Sequence, residues 1–352
     1  LIRSILVLLP EAQRMQAVCV QDEEGRSILH SAAYFGKRES IESIIASLPE
    51  SQHLSAVNMR DHKGKTVLHE AARSNSSACI HTVLTVYPES ELLQAASVQD
   101  NKGRTVLYHF TKEGNLADIE HILSNIPELE RQRAVCIQDA EGLNVLHYAA
   151  GSHSYRHQRH QLGESIIHGI ISLLPESQRL PIVKMQDGRG RSVLHCVTES
   201  GSVECIKTVL SLYPESDRLQ AVSLQDKDGQ TALHRAARSG NPECIRIIFS
   251  LYPESEHLQA LDLKDKYGRT MLHGVLSHNC EHIKAVLSLY PESERRRALN
   301  MRNSFGKNVL QLMDRVTRDS ILEWLSDSSC QKRLTSEEVN VDRPEAKRQR
   351  SE

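Results

Sequence analysis

The feature that most restricts this chain is a period. A turn of the form Asp-x-x-Gly, with Asn303 in place of Asp in its last copy, recurs with its glycine at Gly25, Gly64, Gly103, Gly142, Gly190, Gly229, Gly268 and Gly306, in steps of 39, 39, 39, 48, 39, 39 and 38 residues. Eight of the eleven prolines, at positions 10, 49, 88, 127, 175, 214, 253 and 291, keep the same steps. The hexapeptide SLYPES, at 211–216, 250–255 and 288–293, is one column of that array. A fixed period of this length denotes one supersecondary unit per repeat, each completing its core against its neighbours. The 352 residues are therefore read as a linear stack of eight units rather than as one closed globule.

Unit 6 shows the grammar. In Asp226 to Gly229 the Asp caps its own backbone and the Gly accepts a positive φ. Thr231 then suits an N-cap, Leu233, Ala236 and Ala237 face inward along a short helix, and Gly240 stops it. A second helix places apolar residues at i, i+3, i+4 and i+7, as in Ile206, Val209, Leu210 and Tyr213, or Ile245, Ile248, Phe249 and Tyr252. The proline that follows, read as the first helical residue with Glu behind it, predicts a third short helix: it has no amide to orphan, and Glu complements the dipole.

These residues resemble ankyrin repeats: a turn, a helix with the pattern T-x-L-H-x-A-A, a glycine, then a second helix. Leucine fills the L position in all eight units (Leu29, Leu68, Leu107, Leu146, Leu194, Leu233, Leu272, Leu310), and histidine follows in six (His30, His69, His147, His195, His234, His273). The departures are the missing Pro between Thr and Leu and the six extra residues after the second helix. Arrays of such long units resemble those of secreted effectors of intracellular bacteria. The expected fold is an all-α ankyrin-repeat solenoid of helix-turn-helix units with β-hairpin-like turns and an extra short helix per repeat. Residues 1–21 are expected to be a partial repeat with an upstream continuation, 22–302 seven repeats, 303–326 a capping repeat closed by Trp324 and Leu325, and 327–352 a disordered polar tail.

Little in the chain suggests chemistry. The net charge of -2, with 25% charged and 39% hydrophobic residues, supplies no field to recruit nucleic acid or anionic lipid, and no run is long enough to span a membrane. The eight cysteines form no CxxC pair and several hold equivalent repeat positions, which reads as reduced core cysteine in an intracellular compartment. A histidine repeated at every T-x-L-H junction is a bridge between the Thr hydroxyl and neighbouring backbone, not a base, even where His195 adjoins Cys196. Asp61 to Thr66 mimics a phosphate loop without its first glycine, so Lys65 is a turn residue. No catalytic residue, cofactor or metal is expected.

The columns that vary carry the functional expectation. In ankyrin arrays, hairpin tips and the exposed side of first helices face the partner, and Tyr and Arg are common anchors there. That resemblance assigns partner contact to Tyr34, Phe35, Arg73, His109, Lys112, Tyr148, Arg235, Arg238, Tyr267 and Phe305, whereas Tyr87, Tyr213, Tyr252, Tyr290 and Phe249 count as core. On this reading Leu233→Ala destabilises and Arg235→Ala leaves folding nearly unchanged. Unit 3, where Tyr108 replaces the His and Phe110-Thr111 replaces Ala-Ala, is expected to displace its first helix or open a local pocket.

The 48-residue step comes from an insertion at 151–163, which holds His153, Tyr155, Arg156, His157, Arg159 and His160. It reads as a polar helix extension or loop, with partner contact as the alternative. Lys347, Arg348 and Arg350 fit a nuclear-import signal or a solvated tail. The resulting expectation is a non-catalytic scaffold that binds another protein, with no small-molecule substrate and no direct nucleic-acid contact, in the cytoplasm, the nucleus or, for a secreted effector, the host cell. The alternative is the substrate-targeting part of a larger enzyme or effector with its catalytic domain upstream.

Overall fold

A computed structural model describes residues 6, 8–151, 160–275 and 280–338. The chain forms short helices throughout, and no strand occurs among the described residues. Unit 5 gives the pattern: a turn at Asp187, helices Val193–Ser200 and Val203–Ser211, then the third helix Glu215–Ser223. First helices stack on first helices and second on second from one unit to the next, so the fold is an all-helical solenoid. Its core is a single apolar cluster running from Leu6 to Leu325, and the leucine of the T-x-L position is buried in seven units and partly buried in the eighth, at Leu310.

The turns are hairpin-like in their hydrogen bonds without being sheet. In unit 5 the Asp187 amide donates to the Arg191 carbonyl at 2.9 Å, and the Gly190 amide returns to the Asp187 carbonyl at 2.9 Å. Asp187 Oδ1 accepts the amides of Arg189 (2.9 Å) and Arg191 (2.8 Å), the side-chain cap that the Asp column supplies. Successive tips are joined by one backbone bond each, from His62 to Glu24, Asn101 to Lys63, Ala140 to Lys102, Gly188 to Glu141, Lys227 to Arg189, Lys266 to Asp228 and Ser304 to Tyr267. That ladder explains the glycine beside each tip. Gly103 has φ 75°, and a Cβ there would lie 2.7 Å from the Ala140 amide nitrogen.

A third helix follows the second in units 1 to 7, as in Glu50–Val57 and Glu128–Val135, and a further one, Glu11–Val18, precedes the first turn. Its proline sits one residue earlier than the sequence suggests. Pro49, Pro127 and Pro214 are extended N-caps, Glu is the first helical residue, and the proline carbonyl accepts the first intrahelical bond, as from Asp217 to Pro214 at 2.9 Å. The tyrosine before the proline is core, and its hydroxyl reaches back to the preceding unit's third helix: Tyr213 to the Val183 carbonyl at 3.3 Å, Tyr252 to Val222 at 3.1 Å and Tyr290 to Leu261 at 2.8 Å. SLYPES is thus an inter-repeat fastener followed by a helix start.

Unit 3 absorbs its exceptions inward. Phe110 is fully buried, Thr111 Oγ1 donates to the Leu107 carbonyl at 2.9 Å, and only a cavity of about 10 Å³, no more than one water, lies between Tyr108 and Tyr148. In unit 4 the second helix is His160–Ser172, and most of the insertion lies outside the described residues. In the last unit Asn303 Oδ1 accepts the amides of Phe305 (2.9 Å) and Lys307 (3.1 Å), so it performs the Asp role. Leu325 is buried and Trp324 packs partly against the core beneath Arg295, 5.2 Å from the ring centroid. Its final helix, Arg315–Glu338, continues through residues read from sequence as tail, since Gln331 to Glu338 contain strong helix formers and neither Gly nor Pro.

Candidate partner-binding face

The histidine column is structural. At the N-cap of the first helix in the six units that carry the histidine, the Ser, Thr or Asn side chain takes the third helical amide, and the His ring takes the N-cap amide in return. His195 Nδ1 accepts from the Ser192 amide at 3.2 Å, which leaves Nε2 to donate to the Leu224 carbonyl at 3.0 Å. His30, His147 and His234 make the same link to Lys65, Arg191 and Leu263. Burial lowers the pKa of all six, that of His69 to about 4, so each is held neutral. Cys196, beside His195, is buried, and burial pushes its thiol up to about 12, the opposite of an activated nucleophile.

Three residues expected to face a partner face inward. They share the position nine residues after the turn Asp, from which two of the three side chains reach the hairpin of their own unit. In units 1, 3, 5 and 7 the Asp carboxylate is held by the Arg four residues on: Arg26, Arg104, Arg191 and Arg269. Unit 4 has Leu143 there, and the Tyr148 hydroxyl donates to Asp139 Oδ2 instead. Unit 6 has Gln230 there, and Arg235 donates to Asp226 Oδ2. Arg235 is 6% exposed, and its other arm reaches Glu199 at 2.9 Å, which also lies 3.6 Å from Arg191. His109 of unit 3 is buried against His69, with ring centroids 5.9 Å apart, and burial with the nearby His69 lowers its pKa to about 2. His109 and Arg235 are therefore buried rather than on the exposed side of their helices: the Arg235 charge needs a counter-charge inside the fold, and the neutral His109 ring packs against its neighbour.

The other expected residues do reach the surface, and four converge. Tyr34 ends the helix Ile28–Tyr34 and Phe35 caps it, Arg73 ends Val67–Arg73, and Lys112 lies in the last turn of Val106–Glu113. Together with Gly36, Ser74 and Glu113 they line one open groove across units 1, 2 and 3. Phe35 is 68% exposed and packs edge-on against Tyr34, with centroids 5.1 Å apart, while the Arg73 guanidinium lies 5.1 Å from the centroid of the Tyr34 ring. Sequence reasoning did not find Ser74 or Glu113, which vary without a residue type that signals contact.

A family model for ankyrin repeats, in three copies, matches residues 165–257 and 219–297. That segment is made of ankyrin repeats. No curated protein matches the chain. The matched stretch begins in the second helix of unit 4 and ends in the third helix of unit 7, and the same order of turn, first helix and second helix occurs on both sides of it in the structure. Further along, Tyr267 and the exposed Phe305 occupy the same tip position of successive hairpins, joined by the Ser304 to Tyr267 backbone bond of 2.8 Å. Tyr267 is flanked by the Lys266 ammonium at 4.9 Å and the Arg269 guanidinium at 4.7 Å. Arg238 is exposed on the first helix of unit 6, 4.0 Å from Glu199. His153, Tyr155, Arg156, His157 and Arg159, the His160 side chain, and Lys347, Arg348 and Arg350 lie outside the described residues. No group of three or more metal-ligating side chains occurs among the described residues, and no helix there is long and apolar enough to cross a membrane.

Proposed function

We propose that this ankyrin array is a non-catalytic scaffold that binds a partner protein along the ends of its first helices in units 1 to 3. The observation that carries the reading is the shared groove: Tyr34, Phe35, Arg73 and Lys112 come from three consecutive repeats and line one exposed groove, while Tyr148 and Arg235 are turned to the hairpins of their own units. Tyr and Arg at such a place offer large contact area with a polar end, the usual composition of an energetic hot spot. Tyr267 and Phe305 form a second exposed aromatic pair on the hairpin tips. The seven cysteines whose side chains are described are unpaired, which supports action in a reducing, intracellular compartment, including a host cytoplasm if the long-unit array serves as a bacterial effector.

The test is capture of one partner, identified by mass spectrometry, by wild-type chain and by a Tyr34→Ala/Phe35→Ala variant. Loss of roughly tenfold or more in affinity is expected, since two hot-spot side chains are removed. Leu129→Ala, at an exposed third-helix site away from the groove, should bind like wild type. Equal binding by all three proteins would refute this face.

A further inference from the structure

We infer that the hairpin of unit 8 docks an acidic turn of a partner protein, held as a further hairpin of the array would be. This does not depend on the groove of units 1 to 3. Two kinds of rung join neighbouring hairpins. In the first, the amide of the residue after the turn Asp donates to the carbonyl of the previous tip. In the second, the side chain before the turn Asp donates to the glycine carbonyl of its own hairpin and reaches forward to the backbone of the next. Gln99 Nε2 lies 2.7 Å from the Gly103 oxygen and 2.9 Å from the Gln138 oxygen, and Gln21, Arg60 and Gln138 make the same pair of contacts. Hairpin 8 offers both rungs unmet among the described residues. The Phe305 carbonyl, last in its column, accepts no hydrogen bond there. Arg302, in the column of Arg60, donates Nη1 to its own Gly306 carbonyl at 2.9 Å and has no forward contact. An acceptor and a donor in that register fit a peptide backbone.

Charge decides what that peptide carries. In units 1, 3, 5 and 7 the turn Asp holds the Arg four residues on, but Asn303 is uncharged, and Lys307 makes no side-chain hydrogen bond or ion pair among the described residues. Lys264 of hairpin 7 reaches only the Arg302 carbonyl, at 3.3 Å. The acids nearby are already engaged: Asp265 with Arg269, Asp228 with Lys266, Asp262 and Glu294 with Arg297, and Asp319 with Arg315 and Arg318. Asp314 accepts the Thr317 amide and hydroxyl at 2.9 and 2.7 Å. Lys264, Arg302 and Lys307, all exposed, are thus left without a carboxylate, which is complementary to an acidic turn. A unit that only closes an array presents a polar outer surface, whereas Phe305 is 75% exposed at the tip position that charged residues fill in units 1 to 6. A single nucleic-acid strand fits less well, because the neighbouring Tyr267 ring already has Lys266 and Arg269 against it, where a base would stack.

The test uses fluorescein-labelled turn peptides, acidic VQDEEGQT and neutral VQNQQGQT, titrated with the full chain. The acidic peptide should bind at least roughly tenfold more tightly, with a preference that weakens as ionic strength rises from about 50 to about 300 mM. Methylating the amide of the residue after its Asp should weaken it roughly threefold or more, since one ladder hydrogen bond is lost. Arg302→Glu/Lys307→Glu, shown folded by its thermal midpoint, should abolish the preference, and Lys307→Gln, which changes only a side chain without a partner, should reduce it. Amide resonances that shift on binding should centre on Arg302 to Lys307. Equal affinity for the two peptides, no binding below about 1 mM, an unchanged preference in the variants or shifts centred elsewhere overturns the inference. Tighter binding of an oligothymidylate at the same residues overturns it in favour of nucleic acid. Sedimentation that shows self-association lost in the charge-reversal variant overturns it in favour of a second copy. Tyr34→Ala/Phe35→Ala should leave peptide binding unchanged, so this inference and the groove fail independently.

Discussion

Arg235 shows how a residue changes meaning between sequence and structure. It follows the histidine of a T-x-L-H helix, where ankyrin arrays offer side chains to a partner, yet it closes the hairpin that Gln230 leaves open. Tyr148 does the same for Leu143, so two different residues nine positions after the Asp compensate the same vacancy four positions after it. Arg235→Ala is therefore expected to destabilise the chain by about 3 to 5 kcal/mol, because it strands the Asp226 carboxylate in the interior. Asp226→Asn in the same background should restore at least half of that. Asn303 shows that Asn can accept the two turn amides, and Asn carries no charge. Urea denaturation of the three proteins measures both, and a near-neutral Arg235→Ala would return the residue to the surface role read from sequence.

At the scale of the element, the hairpin tips behave as a ladder. Each tip glycine meets two demands, a positive φ and the approach of the next tip, and Gly306 is the exception that separates them. Its φ is 72°, but nothing lies within 4 Å of where a Cβ would stand, since no later hairpin packs on it among the described residues. Gly306→Ala should cost about 1 to 2 kcal/mol, the price of the left-handed backbone alone. Gly103→Ala should cost at least about 2 kcal/mol more, since the methyl group must displace the Ala140 amide from the Lys102 carbonyl. Equal effects of the two changes on the thermal midpoint would mean that the ladder contributes nothing.

For the whole molecule, the six capping histidines and His109 make stability depend on pH. Their folded-state pKa values lie below the ordinary value of about 6.5, so below that pH the unfolded chain binds more protons than the folded one. The stabilisation is fully present above about pH 6.5 and is lost as pH falls; for His69 the loss runs down to about 4 and amounts to roughly 3 kcal/mol. The lowered carboxyl groups, such as Asp100 and Asp265, act only below the ordinary carboxylate range, so the interval from about 6.5 to 4 belongs to histidine. The thermal midpoint is expected to fall between pH 7.5 and pH 5, and His69→Gln should flatten the slope, since Gln311 completes the same capping box without titrating. A flat profile for wild type over that range would contradict the neutral, buried histidines.

The period by itself determined the solenoid. A turn, an apolar leucine, a second-helix stripe and a proline returning every 39 residues can be satisfied only by stacking, because no unit has enough apolar surface to close a core alone. Local chemistry was equally legible: the Asp turn, the His bridge and the third helix are decided by neighbours a few residues apart. The face of each variable residue was not. Whether Arg235 or Arg73 meets solvent depends on what stands four residues after the turn Asp and on how one hairpin lies over the next helix, distances set by packing rather than by spacing. Tertiary structure alone brought Tyr34, Phe35, Arg73 and Lys112 into one groove, since stacking places side chains from units 39 residues apart within a helix diameter of each other.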